Sequence, residues 1–186
     1  MRLAQLIDAA RAAPGKLNFG AAGHATGPHL IAESIAAEAD VKFTHVPFKN
    51  VGGMYVQAIN GTLDFISTTP VVLTTGRGMK GLAIIGETRL PGHPEVPLLK
   101  ELGYKRSSFP GLMVLGVYAP KGIPAPASTF IRGACAKALE TPLAKSAADK
   151  TSTPIAYADG PAYGAGLIAD YRNVGELLNT LGVKAQ

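Results

Sequence analysis

Apolar and polar positions along this chain follow two alternating periods. Leu3, Leu6, Ile7 and Ala10 recur at helical spacing and Pro14-Gly15 follows them, which predicts a helix over residues 2–12. A short strand is expected at residues 16–19. The glycine-rich turn from Gly20 through Gly23 to Gly27 comes next, then a second helix entered through Thr26 or Gly27 with Pro28 in its first turn. Residues 41–48 read as a strand, 54–59 as a short helix stopped by Asn60-Gly61, and 62–66 as a third strand. Residues 81–86 and 112–119 read as fourth and fifth strands, with a proline-stiffened loop at 90–97 between them. Beyond Pro124 the pattern turns helical, over residues 126–139 and 161–181. The last helix places Tyr163, Leu167, Tyr171, Val174, Leu178 and Leu181 on one stripe. This succession of extended and helical signals is that of an α/β layer structure, without internal repeats.

Composition narrows the class. Hydrophobic residues make up 47% and charged ones 17% of 186 residues, a balance that excludes wholesale disorder and suits one core or two small lobes. No apolar run approaches the length of a membrane span. The first eight residues are amphipathic and include Asp8, so they lack the apolar core of a secretory signal; read as the true start, Met1 implies a cytoplasmic chain. The formal charge of +5 arises between Arg77 and Glu140. The bases there are scattered and not interleaved with aromatics, which argues against nucleic acid as partner; a receptor for small organic acids and an ordinary solvated surface both fit the bias. The single cysteine, Cys135, has Ile131 and Leu139 four residues to either side and is expected to be a buried thiol on an apolar helix face.

The turn at residues 20–27 is the strongest local feature. Glycines let a ligand approach the backbone, and a helix N-terminus offers unpaired N–H groups and the positive end of a dipole, so an anion is favoured there. A tight strand-to-helix turn holding only water satisfies the same residues. Nucleotide binding fits badly: the glycine spacing is not G-x-G-x-x-G, and no Lys-Ser/Thr pair follows. His24, His29, His45 and His93 are scattered, and the interval of five between His24 and His29 does not stack them on one helical face, so no metal site is expected. His24 lies in the turn as a possible donor to an anion, and His29, in the first helical turn, is placed to orient the loop. Asp64 and Glu87 read as solvated or turn-capping acids. No G-x-S-x-G elbow is present, and Ser67 has no recognisable base, so hydrolase chemistry is not supported. Ser67, Thr68 and Thr69 stand at the carboxyl end of the third strand, where open α/β sheets hold ligands; the alternative is that they cap a helix starting at Pro70.

The run Pro14-Gly15-Lys16-Leu17-Asn18-Phe19-Gly20-Ala21-Ala22-Gly23, followed by Thr26 and His29, resembles the signature of the solute-binding receptors of the tripartite tricarboxylate transporter system, the Bug family. Further similarity follows in order: His45-Val46-Pro47-Phe48-Lys49, Asn60-Gly61-Thr62-Leu63-Asp64-Phe65, Gly81-Leu82-Ala83, the loop Pro94-Glu95-Val96-Pro97, residues 111–126 and the closing helix. The resemblance implies a type II periplasmic-binding-protein-like α/β fold: a central mixed sheet flanked by helices, one lobe essentially complete and the other partial. Residues 1–119 would form the ligand lobe, and residues 120–186 a mainly helical part returning to the incomplete lobe. It implies a receptor for a small carboxylate (a di- or tricarboxylate, an amino acid or an aromatic acid) without catalysis or cofactor. Gly23, His24, Ala25, Thr26, Ser67, Thr68 and Thr69 would face the ligand. It also implies a periplasmic location, with membrane transporter subunits as partners of the full-length protein.

The sequence departs from the family by starting at the helix that leads into the second lobe, so roughly the first third is expected to be absent. Val51 and Met54-Tyr55 enlarge a segment that is usually small, and Ser67-Thr68-Thr69 replaces a loop that commonly carries Asp or Asn. The alternative function is a self-associating, homo-oligomeric interaction module that no longer binds a ligand by itself.

Overall fold

The computed structural model describes residues 1–75, 78–86, 88–104, 116–153 and 155–183. Three parallel strands, β1 (Asn18–Ala21), β2 (Thr44–Pro47) and β3 (Phe65–Ile66), pair in the order β2-β1-β3. The helix α1 (Leu3–Ala12) precedes them; α2 (Gly27–Ala39) connects β1 to β2, and α3 (Val51–Ile59) connects β2 to β3. The α/β class is as expected. A mixed sheet would need an antiparallel strand, and none lies among the described residues.

The register explains the layers. Phe19 on β1 is paired with His45 on β2 and with Phe65 on β3, so three rings form a ladder on one sheet face. Phe19 lies 4.9 Å from His45 and 5.4 Å from Phe65, centroid to centroid. Helix α2 covers this face: Ala32 packs into the cluster around Phe19 and Ala21. Gly20 points the other way, because neighbouring strand residues face opposite sides. A Cβ on Gly20 would stand 2.7 Å from Leu63 Cδ1 and 2.8 Å from Met54 Cγ, so a glycine here lets α3 approach the central strand. Helix α1 contributes Leu3, Leu6, Ile7 and Ala10 to the core, the four residues its period predicts.

The strands are shorter than expected, for local reasons. Lys16 N–H bonds to Ala13 O, which keeps it in the turn after α1, and the strand begins two residues later and runs through Gly20 and Ala21. Thr62 and Leu63 donate back to Gln57 O at the end of α3, so only Phe65 and Ile66 remain for β3. The expected strand at 81–86 reduces to one parallel bridge between Ile84 and Leu98. Its partner segment contains Pro94 and Pro97, which cannot donate to a ladder. The Arg89 guanidinium stitches this loop, bonding both Glu101 carboxylate oxygens and, at 2.7 Å, Pro94 O. Of the expected strand at 112–119, residues 112–115 lie outside the described residues and 116–119 have no regular structure; Glu87 also lies outside them.

Five further elements follow β3: the short α4 (Val71–Thr75), a 3-10 turn (Leu99–Leu102), α5 (Ala125–Glu140), α6 (Pro142–Thr151) and α7 (Gly160–Leu181). Helix α3 starts earlier than predicted because the Asn50 side chain accepts from Gly52 N–H and Gly53 N–H. Helix α6 was not expected; Thr141-Pro142, a capping hydroxyl before a first-turn proline, is the signal that marks it. Thr74 Oγ1 donates to Lys150 O and ties α4 to α6, while Arg132 on α5 pairs with Asp159 at the cap of α7. Helices α5 and α6 bury no residue, so Cys135 is half-buried and not the core thiol expected. The C-terminal end of α7 rests on α2. No helix among the described residues is long and apolar enough to cross a membrane.

Candidate functional site

In the order β2-β1-β3 the chain leaves β1 toward one side and returns past it to the other. The crevice at the carboxyl ends of β1 and β3 is therefore the topological switch point, where open α/β sheets bind ligands. The two predicted segments meet there. Gly23, His24, Ala25 and Thr26 form the turn after β1, and Ser67, Thr68 and Thr69 follow β3; Ser67 N–H bonds to Gly20 O at 2.9 Å and joins the two strand ends.

The turn is built around the start of α2. Thr26 is the N-cap, yet its hydroxyl donates to Gly23 O at 3.3 Å and does not cap the helix. The first bond of the helix is Leu30 N–H to Thr26 O, which leaves the N–H groups of Gly27 and His29 without an acceptor among the described residues. Pro28, between them, has no N–H. This pair of open donors at the positive end of a helix is suited to an anion. The Ala25 N–H bonds to His29 Nδ1 at 3.1 Å.

At residues 67–69 the polar groups have partners within the chain. Thr68 Oγ1 lies 3.3 Å from Tyr55 Oη of α3, a polar neighbour missed from sequence because it comes from a different element. Thr69 O accepts from Val72 N–H and opens the short helix α4, the structural alternative for this segment. Asp64 is placed away from ligand chemistry: its carboxylate accepts from Asn18 N–H at 2.7 Å while its own N–H bonds to Asn18 O, pinning β3 to β1.

Three of the four histidines are not scattered, while His93 stays apart beside Glu95. His29 stacks on His45 at 4.0 Å and lies 4.8 Å from His24, although His24 belongs to the turn, His29 to α2 and His45 to β2. Glu33, one turn beyond His29, completes a cleft of about 570 Å³ closed on the other side by Gly182 and Val183 after α7. Of the predicted site residues only His24 lines this cleft. Burial, and then the neighbouring His45 and His24, push the His29 pKa down to about 4. Burial likewise lowers His45, and its buried Nε2 has no hydrogen-bond partner among the described residues. Burial raises Glu33, opposed by His24. Because His29 is neutral at pH 7 and its Nε2 is 3.6 Å from Glu33 Oε1, this contact is neither an ion pair nor a full hydrogen bond.

The ligand-capable atoms of the three imidazoles lie within 4.8 Å of one another. Their arrangement differs from a metal set in two ways. The stacked rings of His29 and His45 send their in-plane lone pairs side by side and not toward a common point, and the Nδ1 of His29 is already engaged by Ala25, which leaves that ring's proton on Nε2.

The model of one family, the tripartite tricarboxylate transporter family receptor (TctC), matches residues 1–179. This chain belongs to that family. TctC proteins are receptors of a transporter and not enzymes. Among curated relatives, a "UPF0065 protein in tcbD-tcbE intergenic region" from Pseudomonas sp. is 32% identical over 143 residues, covering 75% of this chain and 42% of the relative. Three solved structures have the same fold. The periplasmic binding protein BugD matches with a TM-score of 0.79 at 21% identity, over 100% of this chain and 63% of its own. An R. palustris protein solved with adipate matches with 0.79 at 21%, over 98% and 61%. MatC from Rhodopseudomonas palustris, with bound malate, matches with 0.73 at 22%, over 97% and 62%. The chain thus spans about two fifths of the curated relative's length and about three fifths of the solved chains.

Proposed function

We propose that this chain is the carboxylate-binding lobe of a TctC solute receptor, holding one carboxylate on the open N–H groups of Gly27 and His29, with Ser67 and Thr68 contributing hydroxyls and His24 at the rim. The observation that carries the reading is the uncapped start of α2 at the switch point: a strand-to-helix turn whose N-cap hydroxyl is turned away from the helix keeps its donors for a ligand. Charge-assisted bonds to such donors are stronger than neutral ones, and a di- or tricarboxylate, an amino acid or an aromatic acid would present the required group. Adipate and malate in two proteins of this fold support the ligand class. Residues 1–119 act as the ligand lobe and 120–186 as the helical part that reaches toward the rest of a receptor. The working location is the periplasm, and the partners are the membrane subunits of the transporter.

Isothermal titration with malate, adipate and a panel of amino and aromatic acids tests this. Saturable binding that weakens at least tenfold in Thr26→Pro, which distorts the turn, is expected. Absence of binding by every acid overturns autonomous carboxylate recognition. A second reading, self-association, is favoured by Val117, Tyr118, Phe130, Leu143, Ile168 and Tyr171, large apolar residues that all face solvent.

A further inference from the structure

We propose that His29 is the positioning residue of the glycine turn: its Nδ1 holds the Ala25 N–H and so locks the turn in the backbone shape that leaves the first-turn donors of α2 open. Its consequence for affinity rests on the carboxylate reading above, whereas the lock itself is a property of the unliganded chain.

Ala25 has φ of +55°, the left-handed region that glycine enters freely and alanine enters reluctantly. Something in the surroundings has to hold it there, and the 3.1 Å bond to His29 does so from four residues ahead. His29 is only 3% exposed, so water does not compete for its Nδ1. The ring cannot turn away without unstacking: His45 lies 4.0 Å from it on β2, His24 4.8 Å in the turn and Phe19 6.1 Å on β1. Thr26 Oγ1 to Gly23 O forms a second tie across the same turn.

The lock needs one form of the ring. A neutral imidazole with its proton on Nε2 accepts at Nδ1; a protonated ring would set an N–H against the Ala25 N–H. Burial, which keeps the ring neutral, and Glu33 Oε1, 3.6 Å from Nε2, both favour the accepting form. His29 thus acts through Ala25 and not by its side chain touching the ligand.

Nuclear magnetic resonance on the unliganded chain tests the lock directly. A scalar coupling across the N–H···N bond, between the Ala25 amide nitrogen and His29 Nδ1, is expected, together with a slowly exchanging Ala25 amide. In His29→Leu, Ala25 exchange should quicken at least tenfold while the Leu30 amide, inside α2, keeps its rate; His29→Asn, which returns an acceptor on a short stem, should stay within threefold of the parent. No coupling and rapid Ala25 exchange in the unmutated chain overturn the proposal even where His29→Leu fails to fold. Calorimetry with malate and adipate is the second arm. His29→Leu should weaken whichever acid binds at least tenfold, and adding Ala25→Gly, which takes the left-handed conformation unaided, should restore most of the loss. Equal affinity in His29→Leu and the parent overturns the link between the lock and binding. If neither acid binds the parent, the carboxylate reading fails for these probes, and the coupling and exchange still decide the lock.

Discussion

At the scale of single residues, a buried, neutral imidazole makes stability depend on pH in a direction that can be worked out. The folded chain resists protonation of His29 down to about pH 4, while the unfolded chain takes up that proton near the ordinary value of 6.5. As pH falls through this window the unfolded state binds more protons, so stability is lost, by up to about 3 kcal/mol for His29 alone. His45, lowered by burial, acts in the same direction. Glu33, raised by burial, opposes them, since its folded form takes a proton before its unfolded form does as pH falls. The other groups facing His29 are His24 in the turn and, just after α7, only the uncharged Gly182 and Val183 among the described residues. Urea unfolding at pH 7.5, 6 and 5 is expected to give a midpoint that falls with pH, and His29→Leu to flatten the profile. A parent profile flat over this range and left unchanged by His29→Leu would mean that His29 protonates in the folded chain without penalty.

At the scale of elements, the two helices that follow β1 and β2 begin with different chemistry. Asn50 caps α3 through Gly52 N–H at 2.8 Å and Gly53 N–H at 3.4 Å, and it does so for a nine-residue helix with two glycines in its first turn, residues of poor helix propensity. Asn50→Ala is expected to cost about 1 kcal/mol, read as a lowered midpoint in thermal unfolding. Thr26→Ala should cost α2 less, because the Thr26 hydroxyl is not bonded to the helix. Equal losses would mean that Thr26 caps α2 in solution and that its donors are not open. The same contrast shows what can be read from the chain. The stripe of α1, the entry of α2 behind Thr26 and the length of α7 follow from local period and capping, and the structure reproduces them. Strand lengths do not, because Thr62, Leu63 and Lys16 are claimed by turns whose acceptors lie several residues back. The turn at 23–26 and the hydroxyls at 67–69 stand out as glycine and Ser/Thr clusters. The gathering of His24, His29 and His45 is invisible in sequence, since a turn, a helix and a neighbouring strand supply one ring each and only the β1–β2 register brings them together.

At the scale of the molecule, the core is unevenly distributed. The sheet with α1, α2 and the 3-10 turn holds most of the buried side chains, whereas α5 and α6 bury none and α7 buries only Leu177. Tyr171 illustrates the consequence: it sits on the apolar stripe of α7, as its spacing predicts, and is 83% exposed. Phe130 on α5 is 75% exposed and Leu143 on α6 80%. Apolar area of this kind, gathered on three helices that touch the remainder through α4 and α2, gains free energy when it is covered, at roughly 25 cal/mol per Å². The isolated chain is therefore expected to associate, with a sedimentation-average mass that rises with concentration. The double substitution Phe130→Lys with Tyr171→Lys should hold it at the monomer mass without lowering the unfolding midpoint, since neither side chain is buried. A monomer at all concentrations in the unmutated chain would remove the reason for self-association. Carboxylate titrations on the double variant separate the two functions: unchanged affinity places recognition in the turn and the hydroxyl segment alone, whereas affinity lost together with association makes the helical face part of the site.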